Sequence, residues 1–300
     1  MKANGQLNVD RQISDGPLLT LVPDESHVRE LKNENEAELL AFLAARPVHT
    51  VAMASFVRDN GIESPLNRGE FFGYRNTAGE LEGVALIGHT TLVEARTPGA
   101  LEGLALRARA ATTPIHLIMS SGTMANSFWN YLVGYKKSPT QEFTELLFET
   151  GFPLAVHASE HDVRLATSDE LEAVAEAHAE VAVIEQGTNP MERDREGFLR
   201  RTLRRIEQGR VFVVVKGDRL VFKADVIAET DGVAYLEGIY TDPEYRGQGM
   251  APKCLSKVFT ELLKRVDNVC LLSNVEFTSA HRSFARAGMR NTDACTTLFV

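Results

Sequence analysis

The chain is predicted to fold as α/β (α+β), with two domains in tandem, each a mixed, mostly antiparallel sheet flanked by helices. Three observations predict this. Its 300 residues suit two domains better than one. Strand-length apolar runs alternate with runs of helical period, and tight-turn pairs such as Asp231-Gly232 separate neighbouring strands. The order helices, antiparallel strands, helix, strand, helix, strand is read over residues 1–158 and again over 159–300, which predicts duplication of one unit. Two unrelated α+β domains are the alternative.

Residues 1–22 carry few periodic signals and are expected to form a loosely held leader. A helix is predicted from Asp24 or Ser26, either of which can cap it, to Ala44, with Pro47 as its stop. A second helix covers 49–59. Residues 71–74 and 81–88 read as strands joined through Asn76-Thr77-Ala78-Gly79, followed by a strand at 91–95. A helix over 98–111, a strand at 115–119, a helix at 127–133 and a strand at 142–148 complete the first half. The turn-prone stretch 157–162 marks the boundary. A strand at 163–165 leads to a helix opening at Thr167 or Ser168, with Glu170 and Glu172 at its positive end. Strands at 211–215 and 220–228 form a hairpin about Gly217-Asp218, and Asp231-Gly232 joins the second to a strand at 233–241. A helix at 253–266, a strand at 268–274, a helix at 279–287 and a strand at 295–300 follow.

A hydrophobic fraction of 44% and a charged fraction of 24% describe a globular chain. Its longest apolar runs are strand-sized, and residues 1–21 hold no continuous apolar core, so neither a membrane span nor a signal peptide is expected. Cys254, Cys270 and Cys295 are widely spaced, which fits buried small hydrophobes better than a metal site or a disulfide framework. A cytoplasmic location is the expectation. The formal charge of −9 argues against wholesale nucleic-acid binding. One segment runs the other way: Arg193, Arg195, Arg200, Arg201, Arg204, Arg205 and Arg210 lie on a helix whose Phe198, Leu199, Leu203 and Ile206 recur at helical spacing. A solvated basic face is the favoured reading, and attraction of an acidic ligand is the alternative.

Residues 245–251, Tyr-Arg-Gly-Gln-Gly-Met-Ala, carry the most specific signal. They lie between a predicted strand, with its turn on Asp242 and Pro243, and a predicted helix. Such a glycine-rich turn aims several backbone N–H groups at one spot, and the helix N-terminus adds positive dipole there. Gly247 and Gly249 let the backbone approach an anion. Ala251 keeps the first turn slim, and Pro252 near the helix start loses no useful hydrogen bond. The spot suits a phosphate or pyrophosphate. Gly-Lys-Ser/Thr is absent, and so is Gly-x-Gly-x-x-Gly after the strand, which excludes the Walker loop and the dinucleotide fingerprint.

Arg246, Gly249 and Ala251 fit Arg-x-x-Gly-x-Ala. The segments Gly-Ile-Tyr-Thr-Asp-Pro-Glu-Tyr (238–245) and Phe-Ala-Arg-Ala-Gly-Met (284–289) flank it in order. On these three segments, residues 160–300 resemble the GNAT superfamily of N-acetyltransferases. The resemblance implies tandem GNAT-like domains with the first one degenerate. At the matching junction Arg96 and Gly99 keep their spacing, but Pro98 removes a donor and Leu101 adds bulk. It also implies acetyl-CoA as co-substrate, with Arg246, Gly247, Gln248, Gly249, Met250 and Ala251 holding its pyrophosphate. Ile239, Thr241 and the adjoining Tyr240 would bond the pantetheine arm and thioester carbonyl, with a weaker contact from Asn274. The implied reaction is acyl transfer by direct attack of an amine.

Glu237 is the expected base. Strand period places it on the face of Tyr235, Ile239 and Thr241, and apolar neighbours should raise its pKa; an exposed strand Glu is the alternative. Glu185, in the link that lines the acceptor pocket of similar proteins, is the expected contact for the substrate amine, with a mobile, solvated loop as the alternative. The usual acid, a Tyr in the last helix, falls on Phe284 here, and a frequent Asn falls on Phe277. Ser283 or water would then protonate the thiolate, or it leaves unassisted. A non-catalytic acyl-CoA-binding regulatory or sensor protein is therefore the alternative to an acyltransferase. The expected partner is a small-molecule or peptide amine, with no nucleic acid and no membrane; a homodimer is left open. His157, His161, His178 and His281 show no ligand spacing, so no metal is expected. Lys223 and Asp225 should form an ion pair within the sheet, with Tyr240 alongside.

Overall fold

The computed structural model describes residues 27–134, 137–154 and 160–300. Residues 1–22, Asp24, Ser26 and the first part of 157–162 lie outside these. The first half opens with β1 (Val28–Glu30), α1 (Glu36–Leu43) and α2 (Pro47–Asn60). The long helix predicted to end at Ala44 thus begins as a strand. Residues 28–30 pair antiparallel with the strand at 69–75, Val28 opposite Tyr74 and Glu30 opposite Phe72, a partnership that local propensity does not reveal. Pro47 opens α2 in its first turn, where its missing N–H is not needed. β2 (Gly69–Arg75), β3 (Leu81–Gly88), β4 (Thr90–Ala95), α3 (Pro98–Arg109), β5 (Leu117–Ser121), α4 (Met124–Val133) and β6 (Gln141–Gly151) follow.

The second half repeats the order with β7 (Arg164–Leu165), α5 (Leu171–Gln186), α6 (Pro190–Glu207), β8 (Val211–Lys216), β9 (Arg219–Glu229) and β10 (Val233–Thr241). Then come α7 (Met250–Leu262), β11 (Asn268–Asn274), α8 (Thr278–Arg286) and β12 (Arg290–Phe299). The entrance to α5 carries the reciprocal bonds of a capping box between Thr167 and Glu170, and Gly187 ends the helix at φ 69°.

The described strands form one twelve-stranded sheet in the order β1-β2-β3-β4-β5-β12-β6-β11-β10-β9-β8-β7. The two halves exchange their last strands. β6 pairs antiparallel with β11, Phe148 opposite Leu271, while β12 pairs antiparallel with β5, Leu298 opposite Ile118. β6 and β12 pair with each other at the centre. Packing follows pairing. Phe148 belongs to the core under α7 and α8, with Phe222, Leu236, Val258, Phe259 and Phe284. Leu298 belongs to the core under α3 and α4, with Ile87, Leu104, Ile118 and Phe128. Residues 160–300 produced alone should therefore show no cooperative unfolding transition in urea, because β11 lacks β6, one of its two neighbours, and the core lacks Phe148. Co-expression with residues 1–159 should restore one. A cooperative transition in the lone fragment would sink this expectation.

The arginine helix is largely engaged within the molecule. Arg205 reaches the buried Asp225, Arg210 is bidentate to Asp59, Arg204 donates to Asn60, and Arg195 pairs with Glu172. The three cysteines are buried, and burial raises each thiol's pKa, which fits inert packing. Among the described residues no helix is long and apolar enough to cross a membrane, and no group of side chains could hold a metal ion.

Candidate functional site

β10 and β11 are parallel and paired only from Val233 to Leu236 and from Asn268 to Leu271. Beyond that point they part, and a cavity of about 730 Å³ opens between them. Two local devices shape its edge. Gly238 sits at φ 58° inside a bulge that gives β10 one extra residue between Glu237, opposite Asp225, and Tyr240, opposite Lys223. Only glycine fits there, since a Cβ would lie 2.8 Å from His178 Nδ1 and 2.9 Å from Lys223 Nζ. The second device is the turn after β10. Asp242, 3% exposed, accepts from Glu244 N–H and pairs with Arg219, which pins the exit from the strand.

The chain then passes through Gly247 (φ 74°) and Gly249 (φ 77°) into α7. A Cβ on either glycine would meet nothing within 4 Å, so both face open space. Among the described residues the N–H groups of Gly247, Gln248 and Gly249 find no acceptor, and the first N–H groups of α7 add to them. Arg246 folds back to brace the loop, its Nε donating to Thr241 O and its Nη2 to Glu180. The result is a concave cluster of donors at a helix N-terminus, which attracts a phosphate-type anion.

The residues expected at the site converge. Glu237, Ile239, Tyr240, Thr241, Arg246, Gly247, Gly249, Met250, Ala251, Asn274 and Glu185 all line the cavity. Gln248 does not; its amide donates to Glu244 O and stiffens the turn. Asn274 Oδ1 is taken by Glu276 N–H. The bulge corrects one expectation. Register places Glu237 on the face of Tyr240, Lys223 and Asp225, whereas Ile239 packs toward the α7 core. The period of two holds from Tyr235 to Glu237 and breaks at Gly238.

Tyr235 donates to Glu237 Oε1 at 2.8 Å. Glu237 is accessible through the cavity, yet protein walls strip much of its hydration, and this burial raises its pKa despite the Tyr235 hydrogen bond. Glu185 lies in the last turn of α5 rather than in the link after it. Burial, then the charges of Glu237 and Glu145, push its pKa up to about 7. Sequence reasoning missed Glu145 of β6, half-buried on the cavity wall, bonded by the Thr297 hydroxyl and also raised in pKa by burial. Phe284 is buried against Phe148, ring centroids 5.4 Å apart, so its position offers no hydroxyl; Ser283 beside it lines the cavity.

Behind β10 lies the expected ion pair, enlarged. Lys223 is fully buried, with Nζ 2.8 Å from Asp225 Oδ1 and donating to Gly238 O at 2.8 Å. Asp225 also accepts from Arg205 and His178. Burial opposes its charge, but Lys223, His178 and Arg205 together hold its carboxyl well below the usual range. Asp225→Ala should cost about 3–5 kcal/mol in urea denaturation, because it strands the Lys223 ammonium in the interior. A loss below about 1 kcal/mol, the worth of an exposed pair, would show that the cluster is not needed for stability.

At the matching place in the first half, bonds continue across the strands past the end of their ladder. β4 and β5 pair from Thr90 to Leu92 and from Leu117 to Met119. Beyond this, Ser120 Oγ donates to Val93 O at 2.6 Å, and Arg46 joins Glu94 to Ser121. Thr97 caps α3 by accepting from Ala100 N–H, Pro98 has no N–H to offer, and Leu101 is buried. Of the donors at this junction, Pro98 lacks one and Ala100 and Leu101 spend theirs on Thr97.

Residues 172–289 match the model of the acetyltransferase (GNAT) family. No curated protein is significantly similar to the chain. Solved structures share the fold over most of its length. A GCN5-related N-acetyltransferase from Sphaerobacter thermophilus is 16% identical, with a TM-score of 0.61 over 90% of this chain and 93% of that one. A tandem GNAT protein from the clavulanic acid biosynthesis pathway is 14% identical, with a TM-score of 0.56 over 91% and 98%. A GNAT-family acetyltransferase from Colwellia psychrerythraea is 13% identical, with a TM-score of 0.56 over 91% and 99%.

Proposed function

We infer, from the premise that residues 172–289 are a GNAT-family acetyltransferase domain, that the protein transfers an acetyl group from acetyl-CoA to an amine. The observation that carries this reading is one cavity holding both the free N–H groups at Gly247–Gly249 and the Tyr235–Glu237 pair. The loop suits the pyrophosphate, and the splayed ends of β10 and β11 leave room for the pantetheine arm. The acceptor arrives as an ammonium. Glu237 takes one proton, directly or through water. The freed amine attacks the thioester carbon, the C–N bond forms, and the C–S bond breaks. The thiolate takes up the second proton lost by nitrogen, so products are amide, CoA thiol and one proton passed from Glu237 to solvent. Tyr235, whose pKa is raised well above its ordinary value by burial and nearby carboxylates, stays protonated and holds Glu237 in place.

The first half supplies no second CoA site on this reading; its junction is self-capped and its strands are bridged. Calorimetry with acetyl-CoA, followed by CoA-thiol release with a panel of amines, tests the proposal. Binding with release is expected. Phe284 favours the rival reading, a sensor that binds acyl-CoA without turnover, and binding with no release from any amine would establish that rival.

A further inference from the structure

The cavity extends past the strand-exit loop onto a wall that the second half does not build alone. Leu117 and Met119 of β5 and Phe143 of β6 come from the first half, and Phe299 from β12. Phe143 and Phe299 meet edge to face, centroids 5.7 Å apart at 89°, which makes part of that wall rigid and aromatic. Ile184 of α5 also lines the cavity and is left 56% exposed. These apolar groups are an observation independent of any charge: the wall suits a ligand with a hydrocarbon body.

Three carboxylates face the same space from three elements: Glu145 of β6, Glu185 of α5 and Glu237 of β10. The buried acids are paired, Glu94 with Arg46, Asp242 with Arg219, and Asp225 with three cations, whereas Glu145 is half-buried and Glu185 and Glu237 are exposed to the open cavity. Among the described residues no cation pairs with Glu145, Glu185 or Glu237. Glu237 has the Tyr235 hydroxyl and Glu145 the Thr297 hydroxyl. Glu237 and Glu145 repel the charge of Glu185 more than Lys223 attracts it, while Arg205 offsets Glu145 at Glu237, and a ligand that brings positive charge relieves the repulsion left at Glu185. A monoamine answers one carboxylate and leaves two. An amino acid would place its own carboxylate among three others.

We propose that the acceptor is a dicationic amine of the diaminoalkane class, its reacting nitrogen at Tyr235–Glu237, its methylenes on the apolar wall, and its distal ammonium held by Glu145 and Glu185. This rests on the acetyl-transfer reading above. The reacting nitrogen alone loses its charge; the distal ammonium stays protonated throughout and serves as the handle that orients the chain.

The test is a set of initial rates with acetyl-CoA and the full-length protein. The acceptors are α,ω-diaminoalkanes of four to eight carbons, the n-alkylamines of equal length, and the matching ω-amino acids. The best diamine should exceed its monoamine by ~10-fold or more in kcat/KM and its ω-amino acid by ~100-fold or more, since the site's unpaired groups reject ligands that leave them so. Glu145→Gln, which keeps shape and a partner for Thr297, should shrink the diamine preference several-fold, chiefly through KM. Monoamines that turn over as well as diamines, or a preferred ω-amino acid, would overturn the dication inference and leave acetyl transfer standing. Tight acetyl-CoA binding with no turnover of any amine would instead remove the acetyl-transfer reading, and this inference with it.

Discussion

Glu237→Gln is expected to lower kcat by about 10²–10⁴-fold, the range general-base catalysis contributes, with acetyl-CoA affinity retained. The amide keeps the shape of the side chain and still accepts from Tyr235, so the cavity should persist; what goes is a group able to take a proton. The pH profile separates this from a structural effect. Burial raises the pKa of Glu237, so the wild-type carboxyl holds its proton to a higher pH than an ordinary Glu. The base form is lost as pH falls through that raised value, and the acid limb of kcat should lie above the usual carboxylate range. In the variant this limb should flatten. Glu185, pushed up to about 7, responds to the charge of Glu237. Removing that charge should lower the Glu185 pKa, which carbonyl NMR can follow. Unchanged turnover in Glu237→Gln would take Glu237 out of the mechanism.

The second large effect is expected at the loop. Gly247→Ala with Gly249→Ala should weaken acetyl-CoA binding by ~10-fold or more, while the protein still folds. Each alanine is forced into the left-handed region at about 1–2 kcal/mol, so the melting temperature should drop modestly. Among the described residues, adjoining ones aside, no atom lies within 4 Å of either new Cβ, hence no internal clash is added. The methyl groups project instead toward the space where the pyrophosphate would sit, and the strained backbone turns its donors away. Melting temperature and calorimetric affinity therefore report different losses. A double variant that binds acetyl-CoA as well as wild type would show that the anion sits elsewhere.

The loop was legible in the sequence because its determinants are local. Two glycines, a capping aspartate and an early proline fix the backbone of a few consecutive residues, and Gly247, Gly249 and Pro252 line the cavity. Glu237 was legible as to position but not as to face. Strand period predicts side only while the ladder is regular, and the bulge at Gly238 requires glycine because His178 and Lys223, from elsewhere in the chain, leave no room for a Cβ. Glu145 could not be found at all. Its approach to Glu185 and Glu237 depends on β6 lying beside β11, a pairing set by tertiary packing of Phe148. The N-terminal strand was hidden for the same reason, since Val28 reads as helix-compatible until Tyr74 is opposite it. The helical spacing of Phe198, Leu199, Leu203 and Ile206 marked α6, but the pairing of Arg205 with Asp225 and of Arg210 with Asp59 is invisible to spacing.

The exchanged strands also govern how the molecule matures on the ribosome. Of the sheet's strands, β12 is the last to be synthesised, yet it stands at the centre and closes the edge of β5. At about 5–20 residues per second, that edge waits on the order of ten seconds with its backbone groups unpaired in the nascent chain. Exposed edges recruit foreign strands. The first half is therefore the part of this polypeptide with most need of chaperone cover during translation, and slow codons between β5 and β12 would lengthen its exposure.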